Sequence, residues 1–234
     1  MYMNVDNLKE NIEIVLRKIE NAALRSGRKF QEIKLIAVSK NVEPERINLA
    51  YELGLRDFGE NRVQELLKKY DAVRREINFH MIGHLQTNKV KYLVDKIRSI
   101  HSVDSIKLAR EIDKRFGEKN KTIDALIEVH TAKEESKFGL KPDNLEQFLS
   151  EAQNLKNIKF IGLMTIGTLT DDEKEIRRCF STLRKLRDDY SHFKSENIDL
   201  RELSMGMTSD FEIAIEEGST IVRIGTAIFG ERKN

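Results

Sequence analysis

Leu35-Ile36-Ala37-Val38-Ser39-Lys40-Asn41 is the stretch on which the fold turns. Four apolar residues give way to a hydroxyl, an amine and an amide, and helical patterning begins just beyond at Glu45. A short apolar run bounded in this way reads as a buried strand feeding a helix. A doubly wound dinucleotide-binding sheet would carry a Gly-rich turn at this point, and here Ala37-Val38-Ser39-Lys40-Asn41 stands instead. Outward from it the unit repeats. Apolar runs occupy Lys34–Ser39, Arg56–Gly59, Asn78–Ile82, Arg98–Val103, Ile123–His130, Lys159–Met164, Arg201–Met205 and Thr220–Ile224. Helical patterns fall between them at Glu45–Leu53, Arg62–Tyr70, Ser105–Phe116, Leu145–Asn154 and Asp172–Phe193. Strands separated by helices of this length imply a parallel sheet. About eight of them in one unbroken series favour closure into a single (β/α)8 TIM-type barrel over an open sheet.

Asn4 to Gly27 adds an extra N-terminal helix, with Leu8, Ile12, Val15 and Ile19 at helical spacing and Gly27 as its C-terminal cap. It is expected to close the far rim, because little chain follows the last strand. With no repeat and no low-complexity linker, residues 1–234 read as one domain.

The 41 basic residues nearly cancel the 39 acidic ones, leaving a net charge of +2. So even a balance gives no support to a nucleic-acid or membrane surface. No apolar run approaches the roughly 20 residues of a membrane helix. The polar, mixed-charge start from Met1 to Lys9 is unlike a signal peptide. A single cysteine, Cys179, leaves no internal disulfide, and a reducing cytoplasm is the expected location.

In a parallel barrel, chemistry sits where strands run into the following loops. Lys40 ends the first strand, and low-dielectric walls there would favour its neutral, imine-forming amine; a plain surface lysine is the competing reading. Strands seven and eight end in Leu203-Ser204-Met205-Gly206-Met207-Thr208 and Val222-Arg223-Ile224-Gly225-Thr226. Glycine backbone N–H groups with Ser and Thr hydroxyls suit an anion, though Gly and Ser also end many ordinary strands. Ser209 and Glu212 form a capping box that announces a helix. Barrel closure makes strand eight the neighbour of strand one. An imine-forming lysine beside a phosphate cradle matches a phosphate-bearing aldehyde, and pyridoxal 5′-phosphate (PLP) is the leading candidate. His80 and His84 have zinc-helix spacing but flank a strand end, so no metal site is expected.

The chain resembles the pyridoxal-phosphate homeostasis proteins, also called proline synthetase co-transcribed homologues. Shared blocks are Leu35–Lys40, Phe58-Gly59-Glu60-Asn61-Arg62-Val63-Gln64-Glu65 and His80-Met81-Ile82-Gly83-His84-Leu85-Gln86-Thr87-Asn88-Lys89. Others are Glu134-Glu135-Ser136-Lys137-Phe138-Gly139, Gly162-Leu163-Met164, Leu203–Asp210 and Val222–Gly230. The resemblance implies a barrel like the N-terminal domain of alanine racemase, with PLP as a Schiff base on Lys40. It further implies Ser204, Gly225 and Thr226 as phosphate ligands, Arg223 at the pyridine nitrogen, and Asn61 and Met164 lining the ring. Thr165-Ile166-Gly167-Thr168 departs from the family by lacking a proline.

Arginine donates to a ring nitrogen without protonating it, which weakens the electron sink that carbanion chemistry needs. Racemisation also needs an acid–base group on each face of the reacting carbon, and no tyrosine falls at a strand end. The resemblance agrees, implying control of PLP supply and amino-acid balance without a settled catalytic role. Apo-enzymes are the possible recipients of cofactor. A monomer is expected, since the dimer-forming β domain of the racemases is absent. The alternatives are an amino-acid racemase of low activity and a class I aldolase-like barrel that needs no cofactor. Lys137, in the loop after strand five, is a candidate second acceptor during release.

Overall fold

The apolar runs become eight parallel strands, β1 Lys34–Val38, β2 Asp57–Glu60, β3 Asn78–Met81, β4 Ser99–Val103, β5 Ile123–Glu128, β6 Ile158–Met164, β7 Ile198–Ser204 and β8 Ile221–Ile224. In this computed structural model, which describes residues 5–133, 138–168 and 170–231, they pair in sequence order and close into a barrel. Closure is direct: Lys34, Leu35, Ile36 and Ala37 lie opposite Ile221, Val222, Arg223 and Ile224.

The helices are α1 Val5–Arg25, α2 Pro44–Glu52, α3 Val63–Lys69, α4 Ile106–Gly117, α5 Leu145–Ala152, α6 Glu173–Asp189, α7 Phe211–Glu216 and the single turn α8 Thr226–Phe229. A short 3-10 segment, Thr87–Tyr92, takes the helical place between β3 and β4. Side chains alternate across each strand. Ala37, Phe58, Phe79, Ile100, Ile127, Phe160 and Leu203 face outward into one continuous apolar shell under the helices. Fully burying such a side chain contributes roughly 1.5–3 kcal/mol, so this shell holds the barrel together. Ile36, Leu126, Met164 and Ile221 face inward and form a second, small cluster inside it.

Two expectations change. The leading helix does not close the far rim. Its buried face, Leu8, Ile12, Val15 and Ile19, packs on the outside of the barrel against α7 and α8 and reaches α2. Polar ties fix it there: Asn11 donates to the Ile228 carbonyl at 3.1 Å, and Arg25 pairs with Glu212 and Glu216. Because α8 is one turn long, α1 fills the outer position that a full eighth helix would take. The predicted capping box is also displaced. The N-cap of α7 is Asp210, whose carboxylate accepts the Met207 N–H at 2.6 Å, while Glu212 turns to Lys18 and Arg25. Cys179 is buried. No helix among the described residues is long and apolar enough to cross a membrane.

Candidate functional site

Parity along β1 aims Lys40. Ile36 faces into the barrel and Ala37 faces the outer shell, so Val38 and Lys40 continue the inner row. Both line a cavity of about 350 Å³ at the C-terminal mouth. Asn61, Glu128 and Arg223 bring polar groups to the same cavity, and Ile82, Phe138, Ile166 and Met207 supply apolar wall. His84 completes the rim, tilted against Phe138 with 4.0 Å between centroids and 3.4 Å from Asp104.

The backbone on either side of Lys40 is held by a buried cluster behind β1. Lys69 Nζ donates to the Ser39 carbonyl, to Glu60 Oε1 and to Glu65 Oε1, each at 2.9 Å. The Ser39 hydroxyl donates to Glu60 Oε1 at 2.6 Å, and the Asn41 N–H donates to Glu65. Asn41 sits at φ 59°, in the left-handed region that non-glycine residues rarely adopt. The Glu65 contact therefore pins a left-handed turn residue immediately after Lys40. Burial pushes the Glu60 carboxyl above its ordinary range, with Lys69 and Ser39 pulling the other way.

Arg223, on β8, is 4% exposed. Its Nη1 donates to Ser204 Oγ at 2.7 Å and its Nη2 to the Thr165 carbonyl at 2.9 Å. Burial lowers the guanidinium to about 10, opposed by Asp210 and Glu128, so it is still charged at neutral pH. Glu128, at the end of β5, is 5% exposed. Burial raises its carboxyl to about 7, Asp104 adding to the rise and Arg223 opposing it.

The predicted residues therefore divide. Lys40, Asn61 and Arg223 meet at one cavity. Gly225 follows β8 beside Val38: a Cβ there would lie 3.2 Å from the Val38 carbonyl oxygen and 3.3 Å from its Cβ. A side chain there would require Val38 to give by a few tenths of an ångström, so glycine eases the close approach next to Lys40, and Thr226 opens α8 immediately after it. Met164 is fully buried with Ile36, Leu126 and Ile221, beneath the cavity and not on its lining. Ser204 departs from expectation. It is 0% exposed, its hydroxyl lying 2.9 Å from His101 Nδ1 and accepting from Arg223, so it braces the guanidinium from below and does not present itself at the rim. The loop without proline supplies the Thr165 carbonyl to Arg223, and its Gly167 turns at φ 82°. Lys137 lies outside the described residues. Sequence reasoning passed over Glu128, which sits inside an apolar run and shows itself only by its inward parity. It also set aside His80 as a metal ligand and did not single out His101; the two meet inside the barrel with ring centroids 5.6 Å apart.

The sequence model of the family described as alanine racemase, N-terminal domain, matches residues 3–233. The chain belongs to that family. A relative from Aquifex aeolicus, named pyridoxal phosphate homeostasis protein, is 48% identical over 97% of this chain and 99% of its own length. The structure of PipY from Synechococcus elongatus PCC7942 with PLP bound superposes with a TM-score of 0.83 at 34% identity, covering 95% of this chain and all of that one. Alanine racemase from Corynebacterium glutamicum gives a TM-score of 0.74 at 15% identity over 97% of this chain and 62% of that one, a likeness of fold. The relatives carry names of homeostasis proteins and not of enzymes.

Proposed function

We propose that this chain holds pyridoxal 5′-phosphate at the barrel mouth, joined to Lys40, and serves the supply of that cofactor and the balance of amino acids without turnover of its own. One observation carries the reading: Lys40 and Arg223 open on the same cavity while Gly225 lies against the strand that delivers Lys40. The donor set fits the molecule. Lys40 supplies the amine for a Schiff base with the aldehyde. Gly225, Thr226 and the turn at Thr208–Ser209 offer backbone N–H groups and hydroxyls to the phosphate. Arg223 donates toward the ring nitrogen, Asn61 and Ile82 flank the ring, and Ser204 contributes by holding Arg223. The bound cofactor supplies an electrophilic carbonyl carbon and a conjugated ring.

Arg223 keeps its proton at neutral pH, so it meets the ring nitrogen as a donor and leaves that nitrogen unprotonated. That arrangement favours storage over carbanion chemistry. Among the described residues no tyrosine lines the cavity. The names of the relatives and the PLP-bound state of PipY support the same reading. Apo-enzymes that need the cofactor are the recipients we propose.

The test is the visible spectrum of the purified protein mixed with PLP, before and after borohydride, followed by peptide mapping. A yellow complex that bleaches on reduction and tags Lys40 is expected, with Lys40→Ala staying colourless. A tag on another side chain, or undiminished colour in Lys40→Ala, overturns the proposal.

A further inference from the structure

Beneath the cavity the inner face of the barrel carries a file of polar side chains that cofactor contact does not account for. Ser204 Oγ, which accepts from Arg223, lies 2.9 Å from His101 Nδ1. His101 Nε2 lies 2.8 Å from Ser99 Oγ, and Ser99 Oγ lies 2.7 Å from His80 Nδ1. His80 Nε2 lies 2.9 Å from Asp57 Oδ1, at the start of β2 on the barrel floor. Ser99, His101 and Ser204 are at most 4% exposed, and His80 is 2% exposed. Buried polar groups on this scale are costly unless each is satisfied.

The two ends dictate the direction of every bond between them. Arginine only donates, and an ionised carboxylate only accepts. Ser204 accepts from Arg223, so its single proton goes to His101 Nδ1. His101 is then the Nε2–H tautomer and donates to Ser99. Ser99 passes its proton to His80 Nδ1, and His80 Nε2–H donates to Asp57. The opposite polarity would set the bare Nε2 of His80 against the Asp57 carboxylate and strand the Ser204 proton. Both rings are therefore neutral. Burial lowers His101 well below its ordinary value, with His80, Arg223 and Lys34 pushing the same way. Burial also lowers His80, aided by Lys34 and Arg98, and Asp57 does not fully offset it.

We propose that Asp57, His80, Ser99, His101 and Ser204 form a one-directional hydrogen-bond relay that fixes the position and protonation of Arg223 from the barrel floor. The guanidinium edge facing the cavity is thereby offered to a lone-pair acceptor, a heteroaromatic ring nitrogen, in one set state. These are positioning residues. The relay stands on the geometry alone, and only its ligand rests on the cofactor reading above.

The first measurement uses the full chain without added cofactor, its histidines labelled with 15N. His80 and His101 are expected as neutral Nε2–H rings at neutral pH, with any protonation displaced below that of an ordinary histidine. An Nδ1–H tautomer, or protonation of either ring at an ordinary histidine's value, overturns the relay. The second compares Ser99→Ala with Ser99→Thr, which keeps the hydroxyl. Ser99→Ala should unlock the His101 tautomer, move the Arg223 side-chain N–H resonances three links away, and weaken PLP binding about three- to tenfold, with Ser99→Thr restoring all three. Arg223 resonances indifferent to Ser99→Ala would mean local packing only and would sink the proposal. If the parent took up no PLP, the cofactor reading would fail while the histidine and arginine signals still decided the relay.

Discussion

The two faces of the barrel wall differ in chemistry although the same strands build both. On β4, Ile100 and Val103 point outward into the apolar shell while Ser99 and His101 point inward to the polar file. On β5, Ile123, Ala125 and Ile127 join the shell while Glu128 faces the cavity. The outer face needs only apolar volume that fits. Each polar group on the inner face needs a partner, so that face tolerates substitution differently. Stability sits mainly on one side of the wall, and selectivity for a ligand on the other.

Substitutions can break or sharpen that contrast. Phe160 on β6 is fully buried in the outer shell, edge-on to Phe148 with 5.4 Å between centroids. Phe160→Ala should cost about 3–5 kcal/mol in chemical denaturation, while the folded fraction keeps its cofactor absorption. An equal loss of cofactor affinity per folded molecule would erase the distinction between the faces.

Glu128 tests the inner face. Folded, it keeps its proton to about pH 7, against an ordinary value of 4.5. Between those values the unfolded chain binds fewer protons, so stability falls as pH rises and the loss is complete above pH 7. Glu128→Gln should therefore gain up to about 3 kcal/mol over the parent at pH 8. The gain should shrink through pH 6 and vanish near pH 4.5. A gain independent of pH would show that packing, and not charge, sets the effect.

The smallest effect belongs to the outermost layer. Arg177 on α6 reaches Glu216 at 2.7 Å and Glu217 at 3.2 Å on α7, and its side chain is 35% exposed. Arg177→Ala should cost about 1 kcal/mol or less, and less still in high salt. A larger loss would promote the surface ion pairs to a structural role.

The same contrast explains what could be read without coordinates. Apolar runs and helical periods disclosed the eight strands because the outer shell is made of them. Lys40, Arg223 and Gly225 were legible because they stand where barrel strands end. Glu128 and the histidine file were not: each is one polar residue inside a run judged by its apolar neighbours. The alternation Ser99-Ile100-His101 was the available signal, and only parity about Ile36 and Ala37 says which side is inward. The reassignment of Ser204 needed the distance to Arg223, which no spacing encodes. The place of α1 needed the shortness of α8, since a helix with an apolar stripe fits a rim or a flank equally well.

That place has a consequence for synthesis. Helix α1 leaves the ribosome long before the partners it meets, Glu212, Glu216 and Ile228. Its apolar stripe must wait, uncovered or guarded by a chaperone, until α7 and α8 have been translated. Nascent chains stalled before β8 should be the species most prone to stick to one another.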